Sequence, residues 1–166
     1  MKLKKKALLY EIANMAYLIA DTGAADCHNL HLVRDICQEG NIDRVNRILA
    51  LAYSKALTVL LPILRPPHKV HDHSQEIPET DGYPITLIPL PSSAPSKSKN
   101  PIYLLIKETV HEYLVSMVLA DWLEITLPEV AGVWKIKAES SLRSLSETVS
   151  GLTSGGTYAF QRKVPW

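Results

Sequence analysis

The chain has 166 residues, of which 46% are hydrophobic and 21% charged, and a formal net charge of +1. This length and composition predict one globular domain that can bury a core, and the near-zero charge excludes an overall electrostatic pull toward nucleic acid. No apolar run reaches the ~18 residues that a membrane span requires.

The N-terminus superficially resembles a signal peptide, with basic residues followed by a short apolar run. Glu11 and Asn14 interrupt that run, and residues 24–26 make a poor cleavage site. The two cysteines, Cys27 and Cys37, are too few for a disulfide framework. We therefore expect the chain to be made, and to remain, in a reducing cytoplasm.

Apolar residues at helical spacing predict three helices in residues 1–64, at about residues 4–20, 29–38 and 41–61. Gly40 is typical of a residue that ends a helix at its C-cap. Asn41 is typical of an N-cap, so we expect it to open the third helix. Together these helices form the N-terminal part of a single domain that covers residues 1–166.

Residues 65–100 differ in kind, because they hold seven prolines and a cluster of serines. Such a segment predicts a long extended arm that becomes ordered on a partner. Residues 83–90 alternate weakly between apolar and polar, which indicates an edge strand or an extended segment. Tyr83, Ile85 and Leu87 are the candidate partner-binding residues of this arm.

Two further helices are predicted in the second half, at about residues 101–123 and 128–150, with a break at residues 124–127. Pro101 and Pro128 stand at first-turn positions, which tolerate proline. The fifth helix is amphipathic, with Val133 and Trp134 assigned to its apolar side. We expect Trp134 to be a buried core residue.

Residues 151–166 combine glycines with spaced aromatic and basic residues, which predicts a flexible tail that docks on a partner. The candidate partner-binding residues of this tail are Tyr158, Phe160, Arg162, Lys163 and Trp166. The predicted fold class is therefore mainly α, a bundle of four to five helices with a long Pro/Ser-rich arm and a flexible C-terminal tail.

Candidate catalytic and metal-binding patterns are weak. His68, His71 and His73 have a metal-compatible spacing, but a proline-rich loop offers no rigid element to hold the geometry. The chain contains no glycine-rich phosphate loop, no Gly-x-Ser-x-Gly and no His-Glu-x-x-His. We predict no enzyme activity, no catalytic residue, no metal and no cofactor, and keep a histidine-based enzyme or metal protein as an alternative.

Residues 29–61 allow a second alternative, a helical DNA-binding or regulatory protein. A recognition helix presents basic and amide side chains near its N-terminus, as Arg44, Asn46 and Arg47 would. The helix is strongly apolar beyond Ile48, however, so a core helix is the preferred interpretation.

The order of these elements resembles a known family. Residues 43–52 read DRVNRILALA, a proline-containing loop follows, residues 110–114 read VHEYL, and a helix rich in Leu, Lys and Glu comes last. This organisation resembles the head–tail connector (adaptor or neck) proteins of tailed bacteriophages, in particular those of Bacteroides-type phages and prophages. The resemblance covers residues 41–62 and 101–150.

The resemblance implies a structural virion protein of the phage neck, assembled in the cytoplasm of the bacterial host. Small helical subunits of this family form a homo-oligomeric ring, here expected to be a dodecamer, that joins portal to tail and lines the DNA channel. The implied partners are the portal protein, a tail, stopper or terminator protein, and DNA passing non-specifically, with no membrane. The long arm at residues 65–100 departs from a minimal adaptor, so another neck or tail-completion protein is an alternative.

Overall fold

The computed structural model describes residues 2–22, 30–64, 82–84 and 101–160, with the backbone alone for residues 2, 82, 84 and 155–160. The elements are β1 (Lys2–Lys4), α1 (Lys5–Asp21), α2 (Leu30–Arg34), α3 (Glu39–Leu60), β2 (Gly82–Pro84), α4 (Pro101–Thr126) and α5 (Pro128–Phe160). Short 3-10 turns at Asp35–Cys37 and Leu61–Ile63 follow α2 and α3. The predicted class, a mainly α bundle of about five helices, is confirmed.

The second half of α4 is the centre of the bundle. Its buried residues point in every direction around the helix: Tyr113, Leu114, Val115, Ser116, Val118, Leu119, Ala120, Trp122 and Leu123. A helix that is apolar all round must be surrounded by other elements. Here α5 packs along α4, and α1, α2 and α3 contact it as well. Within the described ranges, no helix is long and apolar enough to cross a lipid bilayer.

A single residue, Leu127, connects α4 to α5. Its N–H donates to the Leu123 carbonyl at 2.7 Å, and the Ala131 N–H donates to the Leu127 carbonyl at 3.3 Å. Pro128 takes the first position of α5, where the N–H that proline lacks is not needed. The predicted break at residues 124–127 is therefore too wide, because α4 continues to Thr126.

The start of α3 also differs from the prediction. Gln38 is its N-cap, in extended conformation, and Gly40 lies inside the first turn instead of ending the preceding helix. The side-chain amide of Asn41 donates to the Asp35 carbonyl at 2.9 Å. Asn41 thus provides a hydrogen-bond donor for a carbonyl of the preceding 3-10 turn and is not the N-cap. This contact outweighs the preference of asparagine for the N-cap position.

A small part of the proline-rich arm forms a strand on the chain itself. β2 pairs antiparallel with β1, with Leu3 opposite Tyr83. Leu3 is buried, and the Tyr83 ring packs on Tyr53 with 4.8 Å between ring centres. Of residues 83–90, predicted to be an edge strand or an extended segment, the structure describes only Tyr83 and Pro84, and both lie in β2, paired with the N-terminus of the same chain.

The C-terminal helix is longer than predicted. α5 continues through Gly151 to Phe160, so residues 151–160 are helical where the sequence predicted a flexible stem. Leu152 packs against the core, and this tertiary contact stabilises the helical turn around it. Residues 161–166 lie outside the described part of the chain.

Trp134 is only partly buried, in contrast to the predicted core position. The Lys137 ammonium lies 5.0 Å from its ring centre and covers part of the exposed face. Val133, assigned to the same apolar side, is 65% exposed. The apolar stripe of α5 is narrower than the sequence pattern indicated, because the residues that reach the core are chiefly Ala138, Leu145 and Val149.

Candidate functional site

The outer face of α5 exposes apolar side chains. Val133 is 65% exposed and Ile136 is 69% exposed, and they lie one turn apart. Ser140, on the same side of the helix, is small and exposed. Neighbouring exposed apolar side chains are typical of a contact surface. We refer to Val133, Ile136 and Ser140 as the α5 patch.

Further large apolar side chains are exposed on other described elements: Tyr10, Tyr17, Leu18, Leu32, Leu51, Leu61, Leu104, Leu105 and Ile125. Tyr10 and Tyr17 lie two turns apart on α1, so they share a face. The Arg34 guanidinium lies 4.7 Å from the Tyr17 ring centre. Tyrosine and arginine are the residues most enriched at the energetic centres of protein interfaces.

A groove runs over α4 between α3 and α5, with a volume of about 520 Å³. Its walls are mostly apolar or small: Tyr113, Met117, Ala120, Pro128, Ala131, Gly132 and Leu142. At 1.5 Å per residue, the α4 side from Tyr113 to Glu124 is about 16 Å long. We refer to this cavity as the α4 groove.

The Tyr113 side chain lines the α4 groove and is 1% exposed. Its hydroxyl has no hydrogen-bond partner. Burial raises the pKa of Tyr113, so the phenol stays neutral and keeps its proton. Buried hydroxyls nearly always have a partner, which makes this one an exception that calls for an explanation.

The rim of the α4 groove carries balanced charge. Asp121 accepts a hydrogen bond of 2.5 Å from the Arg44 guanidinium, which also donates to the Asp121 carbonyl at 3.3 Å. The remaining charged lining residues are Lys55, Glu124, Lys135 and Glu139, so two cations face two anions. Arg44, considered from the sequence as a DNA contact, is held against α4 by this pair.

A second, more polar cleft of about 210 Å³ lies between α1, α4 and α5. His111 Nε2 is 2.6 Å from Glu11 Oε2, and Lys137 Nζ is 3.2 Å from Glu112 Oε1. The Ser116 hydroxyl lines the cleft, is buried and has no hydrogen-bond partner. A nucleophilic serine requires a base within hydrogen-bond reach, so His111 and Ser116 do not form such a pair here.

The described residues hold no group of three or more His, Cys, Asp or Glu side chains that could bind a metal ion. Cys37 packs against α1, its thiol donates to the Leu9 carbonyl at 3.6 Å, and burial raises its pKa. A thiol of that kind is a poor nucleophile because little thiolate is present. Cys27 and the histidines at positions 68, 71 and 73 lie outside the described residues.

The partner-binding residues predicted from the sequence are only partly placed. Tyr83 is half-buried against Tyr53 of its own chain, and burial raises its pKa. Tyr158 and Phe160 belong to the last turns of α5, where only the backbone is described. Ile85, Leu87, Arg162, Lys163 and Trp166 lie outside the described ranges, so their roles stay predictions. Neither the α5 patch nor the α4 groove was predicted from the sequence.

No protein-family model, curated protein or solved structure matches this chain.

Proposed function

We propose that this chain is a structural subunit of a phage neck, a head–tail connector protein that assembles into a ring beneath the portal. The observation that carries the proposal is the α5 patch, where Val133 and Ile136 are 65% and 69% exposed on a 33-residue helix. The sequence resemblance of residues 41–62 and 101–150 supplies the biological setting. The subunit works by burying apolar surface against neighbours, and no chemical step is involved.

The bundle suits such a role in two ways. The centre of α4 is held on all sides, so the hairpin of α4 and α5 can present a rigid surface. Exposed side chains on α1, α3 and α5 provide more than one face for contact. A ring needs two different complementary faces on each subunit, since only head-to-tail contacts close a cycle of more than two copies.

The proposed partners follow from the same role. Copies of the chain form the ring, the portal protein and a tail, stopper or terminator protein bind above and below it, and DNA passes through without sequence readout. A net charge of +1 fits weak, non-specific passage better than tight DNA binding. The tail candidates Arg162, Lys163 and Trp166 remain proposed docking residues.

The α5 patch is tested with Val133→Asp and Ile136→Asp, which place a carboxylate in the proposed contact. We expect each variant to fold normally, because both positions are exposed, and to lower the assembled fraction at least tenfold. Ser146→Asp, a new charge at an exposed α5 position that is not part of the α5 patch, is the matched control. Native mass spectrometry with portal present reads the assembled fraction, and assembly equal to that of Ser146→Asp would remove the α5 patch from the interface.

A further inference from the structure

The α4 groove has the size of a ligand site. Its volume of about 520 Å³ falls within the range of about 300–1,000 Å³ that small-molecule pockets occupy. The three helices that build it are joined by direct contacts, so the cavity is a stable feature of the bundle. The proposed connector role does not use this cavity.

The shape and composition of the walls favour a flat apolar ligand. Ala120 on α4 and Ala131 and Gly132 on α5 have little or no side chain, which leaves a slot in the groove. Met117 and Leu142 provide apolar contact along the slot, and the thioether of methionine packs well against aromatic rings. An added Cβ at Gly132 would meet no atom within 4 Å, so the slot is open at this point.

The polar groups specify the ligand further. Asp121 is neutralised by Arg44, and Lys55, Glu124, Lys135 and Glu139 cancel, so the groove gives no preference for a net charge. Tyr113, whose buried hydroxyl lacks a partner, lies at one end of the α4 side of the groove. Because that hydroxyl is buried, a ligand reaches it only when a lining side chain moves, and Met117, one turn from Tyr113 on α4, is unbranched and only partly buried.

We propose that the α4 groove binds a small, neutral, aromatic molecule that carries one N–H or O–H group, with that group hydrogen-bonded to the Tyr113 hydroxyl. The ring lies between Ala120, Ala131 and Gly132, and the polar atom supplies the partner that the phenol lacks. Indole has this chemistry, and indene has the same shape without the N–H.

The test is a chemical-shift titration of the ¹⁵N-labelled full chain with indole and with indene. We expect saturable shifts at groove residues and about three- to tenfold tighter binding of indole, the range expected for one neutral hydrogen bond. Tyr113→Phe keeps the ring and removes the hydroxyl, so the two probes should bind this variant equally.

The site itself is tested with Gly132→Leu, whose side chain fills the slot. We expect at least a tenfold loss of indole binding. Gly151→Leu is the matched control, because it also adds a leucine at an open glycine of α5, outside the groove. Absence of saturable shifts, equal binding of indene to the wild-type chain, or unchanged binding to Gly132→Leu would each overturn the proposal. None of these results bears on ring assembly.

Discussion

Trp122 and Trp134 differ in how completely the structure surrounds them. Trp122 is 7% exposed, its indole N–H donates to the Leu32 carbonyl at 3.2 Å, and the Arg44 guanidinium lies 5.6 Å from its ring centre. Trp134 is partly buried and has Lys137 over its ring. From the sequence, Trp134 was predicted to be a buried core residue. In the structure, the buried tryptophan is Trp122.

Replacing each tryptophan by alanine separates the two positions. We expect Trp122→Ala to lower the free energy of unfolding by about 3–5 kcal/mol, as a cavity and an unpaired carbonyl would. Trp134→Ala should lower it by about 1–2 kcal/mol, since only part of the ring leaves water on folding. Urea denaturation followed by circular dichroism measures both, and equal losses would contradict the burial difference.

The buried Tyr113 hydroxyl leads to a prediction about the stability of the protein at high pH. Burial raises the pKa of Tyr113 above its unfolded value, so the folded state favours the neutral phenol. The resulting stabilisation is complete below the unfolded pKa of about 10 and is lost as the pH rises through the folded pKa. Tyr53 and Tyr83 shift in the same direction and add to the alkaline loss.

Tyr113→Phe isolates this contribution. At neutral pH we expect the variant to be as stable as the wild type or more stable by up to about 1 kcal/mol, because it removes a buried group without a partner. Its stability should also fall less steeply above about pH 10. Tyr10→Phe, at a 76% exposed position, is the control for loss of a hydroxyl and should leave the stability at neutral pH unchanged, because water already satisfies that group. A steep alkaline loss that survives in Tyr113→Phe would place its origin elsewhere.

At the scale of elements, periodicity located the helices well and their ends poorly. Pro101 and Pro128 fixed two helix starts, since proline is tolerated only in a first turn. Helix ends predicted at Gly40 and Gly151 were wrong, because a glycine is compatible with a helix whenever contacts elsewhere stabilise that helix. The side chain of Asn41 and the packing of Leu152 are such contacts, and neither is visible from local sequence.

Gly151→Ala tests whether α5 passes through this position. An added Cβ would meet nothing within 4 Å, so the variant gains helix propensity without a clash. We expect it to raise the free energy of unfolding by about 0.5–1 kcal/mol. In a flexible stem the same change would have almost no effect, and thermal unfolding distinguishes the two.

The candidate sites were harder to predict than the elements. The α4 groove is lined by residues of three helices, among them Lys55, Tyr113 and Gly132. The proximity of these residues depends on how the helices pack. The α5 patch contains ordinary helix residues, and Val133 matched the apolar stripe by spacing alone. The one sequence signal for the α5 patch was an apolar stripe on α5 that is wider than the core can accommodate. The surplus apolar positions must either face solvent or contact a partner.

At the scale of the whole molecule, the proposed connector role depends on association between copies of the chain. The bundle surrounds the centre of α4 and still leaves eleven large apolar side chains exposed among the described residues. A monomer can tolerate scattered exposed side chains, but the adjacent pair at Val133 and Ile136 is typical of a contact surface. A connector would use this pair between subunits and leave the tail candidates to bind the portal.

The most direct measurement is the mass of the wild-type chain, by light scattering and native mass spectrometry, alone and with the portal protein. The proposed role predicts a closed ring, or a ring that forms only on the portal. A stable monomer that does not bind the portal at any accessible concentration would contradict it, and salt-sensitive DNA binding by that monomer would favour the DNA-binding alternative.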